Sequence, residues 1–122
     1  MFTRTGSVMS TTLLITGASG YIASYMISPL QKRGYTLVGV DRDGGAPSEL
    51  DRFVRGDLTD PRVCENALQD VDAVLHLAAA KGDWGISRDE YYRDNLEATR
   101  VLIEAGREAG VEDWVFYSTV SA

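Results

Sequence analysis

Lysine is nearly absent from this chain. Its 122 residues hold two, Lys32 and Lys81, together with one cysteine, Cys64, and one histidine, His76. A single cysteine excludes an internal disulfide and suits a reducing compartment. In the stretch PRVCENAL, Cys64 reads as a buried, inert thiol. One His beside one Cys excludes the ligand clusters that hold zinc, and His76 reads as a strand-end residue rather than a base or a ligand. No run of 18 apolar residues exists, so no helix is expected to span a membrane. The first eleven residues, MFTRTGSVMST, lack the apolar centre of a signal peptide. They read as a flexible leader, 1–11, on a cytoplasmic protein. Basic runs are missing too, and the net charge is −6. That excludes a nucleic-acid backbone as partner, which needs a cationic face. Repeats and low-complexity linkers are absent.

What is present fits one soluble domain, 12–122, with 44% hydrophobic and 25% charged residues. Short apolar runs predict five strands: TLLIT (12–16), YTLVGVD (35–41), RFVRGD (52–57), DAVLHLA (72–78) and DWVFYS (113–118). The runs are continuous rather than alternating, as in strands covered on both faces. Helices are expected between them. The first runs from Tyr21 to Arg33 with Gly34 as its stop, and Pro29 inside it should kink it or cost about 3 kcal/mol. The second has Asp60 as N-cap and Pro61 at its first position. The longest spans 87–108 and closes at Gly110. Tyr91, Asn95, Ala98, Leu102 and Ala105 share one face of it, so Asn95 points inward. RDGGAPSELD reads as a surface loop. Strand–helix alternation with short loops implies right-handed crossovers and a doubly wound parallel α/β sheet, order 3-2-1-4-5.

The turn after the first strand carries the chemistry. Gly17-Ala18-Ser19-Gly20-Tyr21-Ile22-Ala23 lets backbone approach a pyrophosphate, and the helix behind it offers unpaired N–H groups and a positive dipole end. Ala23 stands at the third glycine position, where close helix–strand packing is needed. The second strand ends at Asp41, 21 residues after Gly20. A carboxylate there bonds ribose hydroxyls and repels a 2′-phosphate, which favours NAD over NADP. Arg42 beside it offers a guanidinium that would accept that phosphate, so NADP stays open as the less favoured cofactor.

Taken together, TGASGYIAS, GVDR, GDLTD, HLAAAK, YYRDNLEATRVLIEA and VFYST resemble, in order, the motifs of the extended short-chain dehydrogenases/reductases. That group includes NAD-dependent sugar-nucleotide epimerases and dehydratases. The resemblance covers about 12–122 and implies a Rossmann-like fold, truncated relative to the family. It implies that Asp57 and Leu58 hold the adenine. Leu77, Ala78, Ala79 and Lys81 would line the nicotinamide side. Asn95 falls at the family's asparagine, and Thr119 at its catalytic Ser/Thr. Trp84 either lines a substrate mouth or covers the sheet. In the family dimer the long helix packs beside a helix this chain lacks, which implies a homo-oligomer through 87–108.

The family's chemistry also needs Tyr-x-x-x-Lys, in which the tyrosine is the general acid/base. Ser28 stands four residues before Lys32, and Leu77 four before Lys81. The pair does not occur in these 122 residues. The expectation is therefore the NAD-binding, amino-terminal portion of an enzyme that transfers hydride on a nucleotide sugar. The alternatives are a non-catalytic NAD-binding module or an inactive family fragment.

Overall fold

A computed structural model describes residues 11–77 and 88–117; within the latter, the side chains of 88 and 91–94 are left aside. The expected leader residues 1–10, and Ala78, Ala79, Lys81, Trp84 and Thr119, lie outside the described residues, as does the Tyr91 side chain. The elements follow as β1 (Thr12–Thr16), α1 (Tyr21–Lys32), β2 (Thr36–Asp41), β3 (Arg52–Arg55), α2 (Pro61–Ala67), β4 (Ala73–His76), α3 (Arg88–Glu108) and β5 (Asp113–Phe116). The strands form one sheet in the order β3-β2-β1-β4-β5. Every pairing is parallel. The expected order is the observed one.

β1 has the expected bounds; β3 and β4 are shorter than their apolar runs suggested, and aspartates at their ends take other work. Asp72 precedes β4, and its carboxylate accepts a bond from the Thr12 amide at 2.8 Å. Asp51 precedes β3 and does the same for Leu37, also at 2.8 Å. These side chains satisfy the amino edge of the sheet, where parallel pairing leaves amides without strand partners. Asp57 leaves β3 altogether and folds into the turn before α2.

Alternate residues of each strand face opposite layers. Leu14, Val38, Val40, Val54 and Val74 pack under α2 and α3 with Cys64, Ala67, Leu68, Val101, Leu102 and Ala105. Ile15 and Leu37 pack under α1 with Ala23 and Ile27. Helix spacing explains the choice: Ala23 and Ile27 are one turn apart, as are Val101 and Ala105. The 21-residue α3 has acids in its first turn and Arg107 in its last, matching the helix dipole. Asp60 caps α2 by accepting from the Arg62 amide, with Pro61 at the first position as expected. The first helix continues past Pro29 to Lys32. Both long helices end in the same way. Tyr35 bonds back to the Leu30 carbonyl and Gly34 to Gln31; Val111 bonds back to Gly106 and Gly110 to Arg107. This double closure satisfies the last carbonyls. Among the described residues no helix is long and apolar enough to cross a membrane.

The α1 side of the sheet is covered unevenly. Over β4 and β5 a hollow of about 320 Å³ is lined by Leu13, Tyr35, Leu75 and Val115, among others. Val115 is 60% exposed.

One close approach binds the fold to the turn after β1. A Cβ built on Gly39, in the middle of β2, would lie 2.7 Å from Ala18 Cβ and 2.5 Å from Leu50 Cδ1. Ala18 is itself 1% exposed and cannot retreat without moving the turn. Gly39→Ala is therefore expected to destabilise the chain by about 1–3 kcal/mol, the usual scale of overpacking. Urea denaturation of the variant against the parent chain measures it. A change under 0.5 kcal/mol, roughly the surface-substitution level, would contradict the packing argument.

Candidate functional site: the carboxyl edge at β1, β2 and β4

In a doubly wound sheet the strand order reverses at one point, and the loops there part to leave a crevice. Here the reversal falls between β1 and β4. The register aligns Thr16 with Val40 on one side and with His76 on the other. The carboxyl ends of three strands therefore meet on one edge.

The glycine turn is hung from β2. The amides of Gly17 and Ala18 both donate to the Val40 carbonyl, at 2.9 and 3.3 Å. Gly17 adopts φ of 67°, a left-handed conformation that favours glycine. Gly20 donates back to the Gly17 carbonyl at 2.9 Å. A Cβ on Gly20 would lie only 3.1 Å from that oxygen. Gly20 then caps α1 with no side chain of its own. The first bond within the helix runs from the Ser24 amide to the Gly20 carbonyl. The N–H groups of Tyr21, Ile22 and Ala23 precede it and point out of the helix start. No acid stands in this first turn. The residues fit an anionic diphosphate: a cradle shaped by missing Cβ atoms, donor groups, and no acid in the first turn of the helix. The Tyr21 side chain stands in the open at the helix start. It is 67% exposed, and its hydroxyl lies 3.1 Å from that of Tyr25.

Asp41 stands beside the turn, as its spacing suggested. One carboxylate oxygen accepts from the Ser19 amide at 3.0 Å, and the other accepts from the Asp43 amide at 3.4 Å. The loop after β2 is closer to the turn than a surface loop need be. The Ser19 hydroxyl donates to the Gly45 carbonyl at 3.1 Å. Arg55 donates to the Gly44 carbonyl at 2.8 Å. Ser19 was not singled out in the sequence; the signal was its place between two glycines that must hold a fixed turn.

Arg42 reaches along the edge to Asp57, at 3.7 Å. The other Asp57 oxygen accepts from the Thr59 amide and hydroxyl, both at 2.9 Å. Burial pushes the Asp57 carboxyl up, but the Thr59 bonds and the Arg42 charge outweigh it, and it lies below its ordinary value. Leu58 turns its side chain into the core, 7% exposed, so any contact it makes at the edge is through its backbone. Cys64 is fully buried and donates to the Leu58 carbonyl. Burial first, then the nearby Asp60, Asp57 and Glu65, push its thiol up to about 11. The expected inert thiol is what the structure holds.

On the other side of the crevice, three polar groups form a tie. Thr16 is fully buried. Its hydroxyl accepts from the Leu77 amide at 2.9 Å and pairs with His76 Nδ1 at 2.7 Å. His76 Nε2 pairs with the Thr99 hydroxyl of α3 at 3.1 Å. Phe116 meets the imidazole edge-on at 5.7 Å. His76 is thus a strand-end residue, as the sequence suggested, and it joins β1, β4, β5 and α3. Leu77 is half-buried against the α1 layer. Asn95 is half-buried one turn before Thr99. Of the sequence-derived site residues, the structure brings Gly17, Gly20, Asp41, Arg42, Asp57 and Leu77 to one edge. Ala78, Ala79, Lys81 and Thr119 fall outside the described residues.

This fold and edge define a class: doubly wound α/β proteins with a glycine-turn crevice at the switch point. The chain matches the NAD dependent epimerase/dehydratase family over residues 13–122 and belongs to it. It is 34% identical over 125 residues to the UDP-glucose 4-epimerase of Erwinia amylovora, covering 89% of this chain and 37% of that protein. It is 33% identical over 111 residues to the 2-alkyl-3-oxoalkanoate reductase of Stenotrophomonas maltophilia (strain K279a), covering 89% of this chain and 33% of that one. Among solved structures, the UDP-glucose 4-epimerase from Bifidobacterium longum in complex with NAD+ and UDP matches with a TM-score of 0.77 and 29% identity, over 89% of this chain and 37% of that one. The chain thus spans about one third of the length of these relatives.

The His76 tie has a pH signature. Burial lowers the ring's pKa from its ordinary 6.5. Above that value both folded and unfolded chains hold it neutral. As pH falls below it, the unfolded chain takes up a proton that the folded chain refuses, so stability is lost on acidification through the window between the two values. The melting temperature is expected to drop between pH 7 and pH 5, and His76→Asn should flatten that slope. An unchanged slope in the variant would assign the loss to other groups.

Proposed function

We propose that this chain is the NAD(H)-binding portion of an epimerase- or dehydratase-type oxidoreductase that transfers hydride at a carbon of a nucleotide sugar. The observation that carries the cofactor reading is the paired geometry of Gly17–Gly20 and Asp41. The turn and the first amides of α1 would receive the diphosphate. The Asp41 carboxylate, oriented by Ser19, would accept ribose hydroxyls. Asp57 and the Leu58 backbone would border the adenine, and Leu77 the nicotinamide side with Ala78, Ala79 and Lys81. When bound, NAD supplies the hydride acceptor and donor. The solved epimerase in complex with NAD+ and UDP supports both the cofactor and the substrate class.

Proton transfer is the part these residues do not supply. Thr119 is proposed to orient the reacting oxygen, but a hydroxyl alone is no acid/base at neutral pH. General acid/base catalysis contributes about 10²–10⁴ in rate. The absence of Tyr-x-x-x-Lys from the sequence favours a second reading for the 122-residue chain by itself: a module that binds NAD without turning it over. Leu96 and Ile103, exposed and seven residues apart on α3, support association of copies along that helix.

A thermal-shift titration of the 122-residue chain with NAD+ and NADP+ tests the reading. At 100 times its Kd a ligand adds about 2.7 kcal/mol of stability. NAD+ is expected to stabilise the chain more than NADP+, and Asp41→Ala to narrow the difference. No shift with either dinucleotide would reject it.

A further inference from the structure

Asp41 and Arg42 are neighbours with opposite offers to a dinucleotide. A carboxylate takes free ribose hydroxyls; a guanidinium takes a 2′-phosphate. Which offer prevails depends on where the Arg42 side chain is held. Among the described residues, Arg42 and Arg55 border this edge, and both are engaged elsewhere. Arg55, in register with Asp41 across β2 and β3, is committed to the Gly44 carbonyl at 2.8 Å. Arg42 lies 3.7 Å from Asp57 Oδ2. Asp57 is a fixed anchor, because Thr59 holds its Oδ1 with two bonds. That leaves Oδ2 facing the guanidinium.

We propose that Asp57 is a specificity-determining residue: by drawing Arg42 along the edge toward β3, it withholds the guanidinium from a 2′-phosphate and biases the site toward NAD over NADP. The inference rests on the dinucleotide reading above and deepens it. Asp57 acts here through Arg42, not by touching the phosphate. Asp41 sets the preference directly, and Asp57 prevents its neighbour from cancelling it. Both partners are about half-exposed, so the effect has the modest scale of a surface ion pair.

The test is the ratio of Kd for NADP+ to Kd for NAD+, read by calorimetric titration of the 122-residue chain. Asp57→Asn keeps an oxygen for Thr59 and removes the charge that holds Arg42. Asp57→Ser, carried alongside, removes the charge by another route should the first variant fail to fold. Any change in adenine contact affects both dinucleotides and cancels in the ratio. The ratio is expected to fall by about two- to fivefold, the scale of an exposed ion pair. Adding Arg42→Gln to Asp57→Asn should abolish the gain, and raising ionic strength should shrink it. An unchanged ratio, including an equal loss of affinity for both dinucleotides, overturns the proposal. So does a gain that survives without Arg42. A parent chain that binds neither dinucleotide overturns the underlying reading instead, which separates the two failures.

Discussion

One carbonyl oxygen organises the functional edge. Val40 accepts the amides of both Gly17 and Ala18, so the turn after β1 is suspended from the end of β2. Everything proposed for the site depends on that suspension. It sets the direction in which α1 departs. It brings the Ser19 amide onto the Asp41 carboxylate. It also presses Ala18 into the space over Gly39. A backbone group accepting two backbone donors fixes the turn against an interior strand of the sheet.

The fold was legible because its signals are local and strong. Five apolar runs, two terminal glycines and the Asp60–Pro61 start announce the elements. The requirement for right-handed crossovers then limits their order. The diphosphate cradle was legible for the same reason: the Gly17–Gly20 spacing and the Asp41 offset are fixed by the geometry of a strand, a turn and a helix. Contacts between loops were not. Ser19 with Gly45, Arg55 with Gly44, and Arg42 with Asp57 join residues far apart in the chain, and no periodicity encodes them. The role of His76 was half legible. Its place at a strand end followed from the pattern, but its partners Thr16 and Thr99 are brought to it only by the fold.

Charge on this edge is arranged by pairing more than by composition. The chain is acidic overall, yet the first turn of α1 has no acid, and the carboxylates nearest the turn are each given donors. Asp41 has two backbone amides; Asp57 has Thr59 and an arginine. An anion approaching the helix start therefore meets the free amides of the first turn, with the Asp41 charge held to one side on Ser19 and Asp43. Across the edge, burial disfavours a charged His76.

The crowding at Ala18, Gly39 and Leu50 has a consequence for how such sequences vary. The three residues come from a turn, a strand and a loop, yet they divide a single small volume among them. A larger residue at one position is compatible with the fold only if another of the three shrinks. Across related sequences these positions should therefore change together, although they are separated by 21 and 11 places in the chain. The glycine turn is in this sense not a portable motif. Transplanted without its mid-strand glycine and its loop leucine, it would arrive in a site with the wrong room for it.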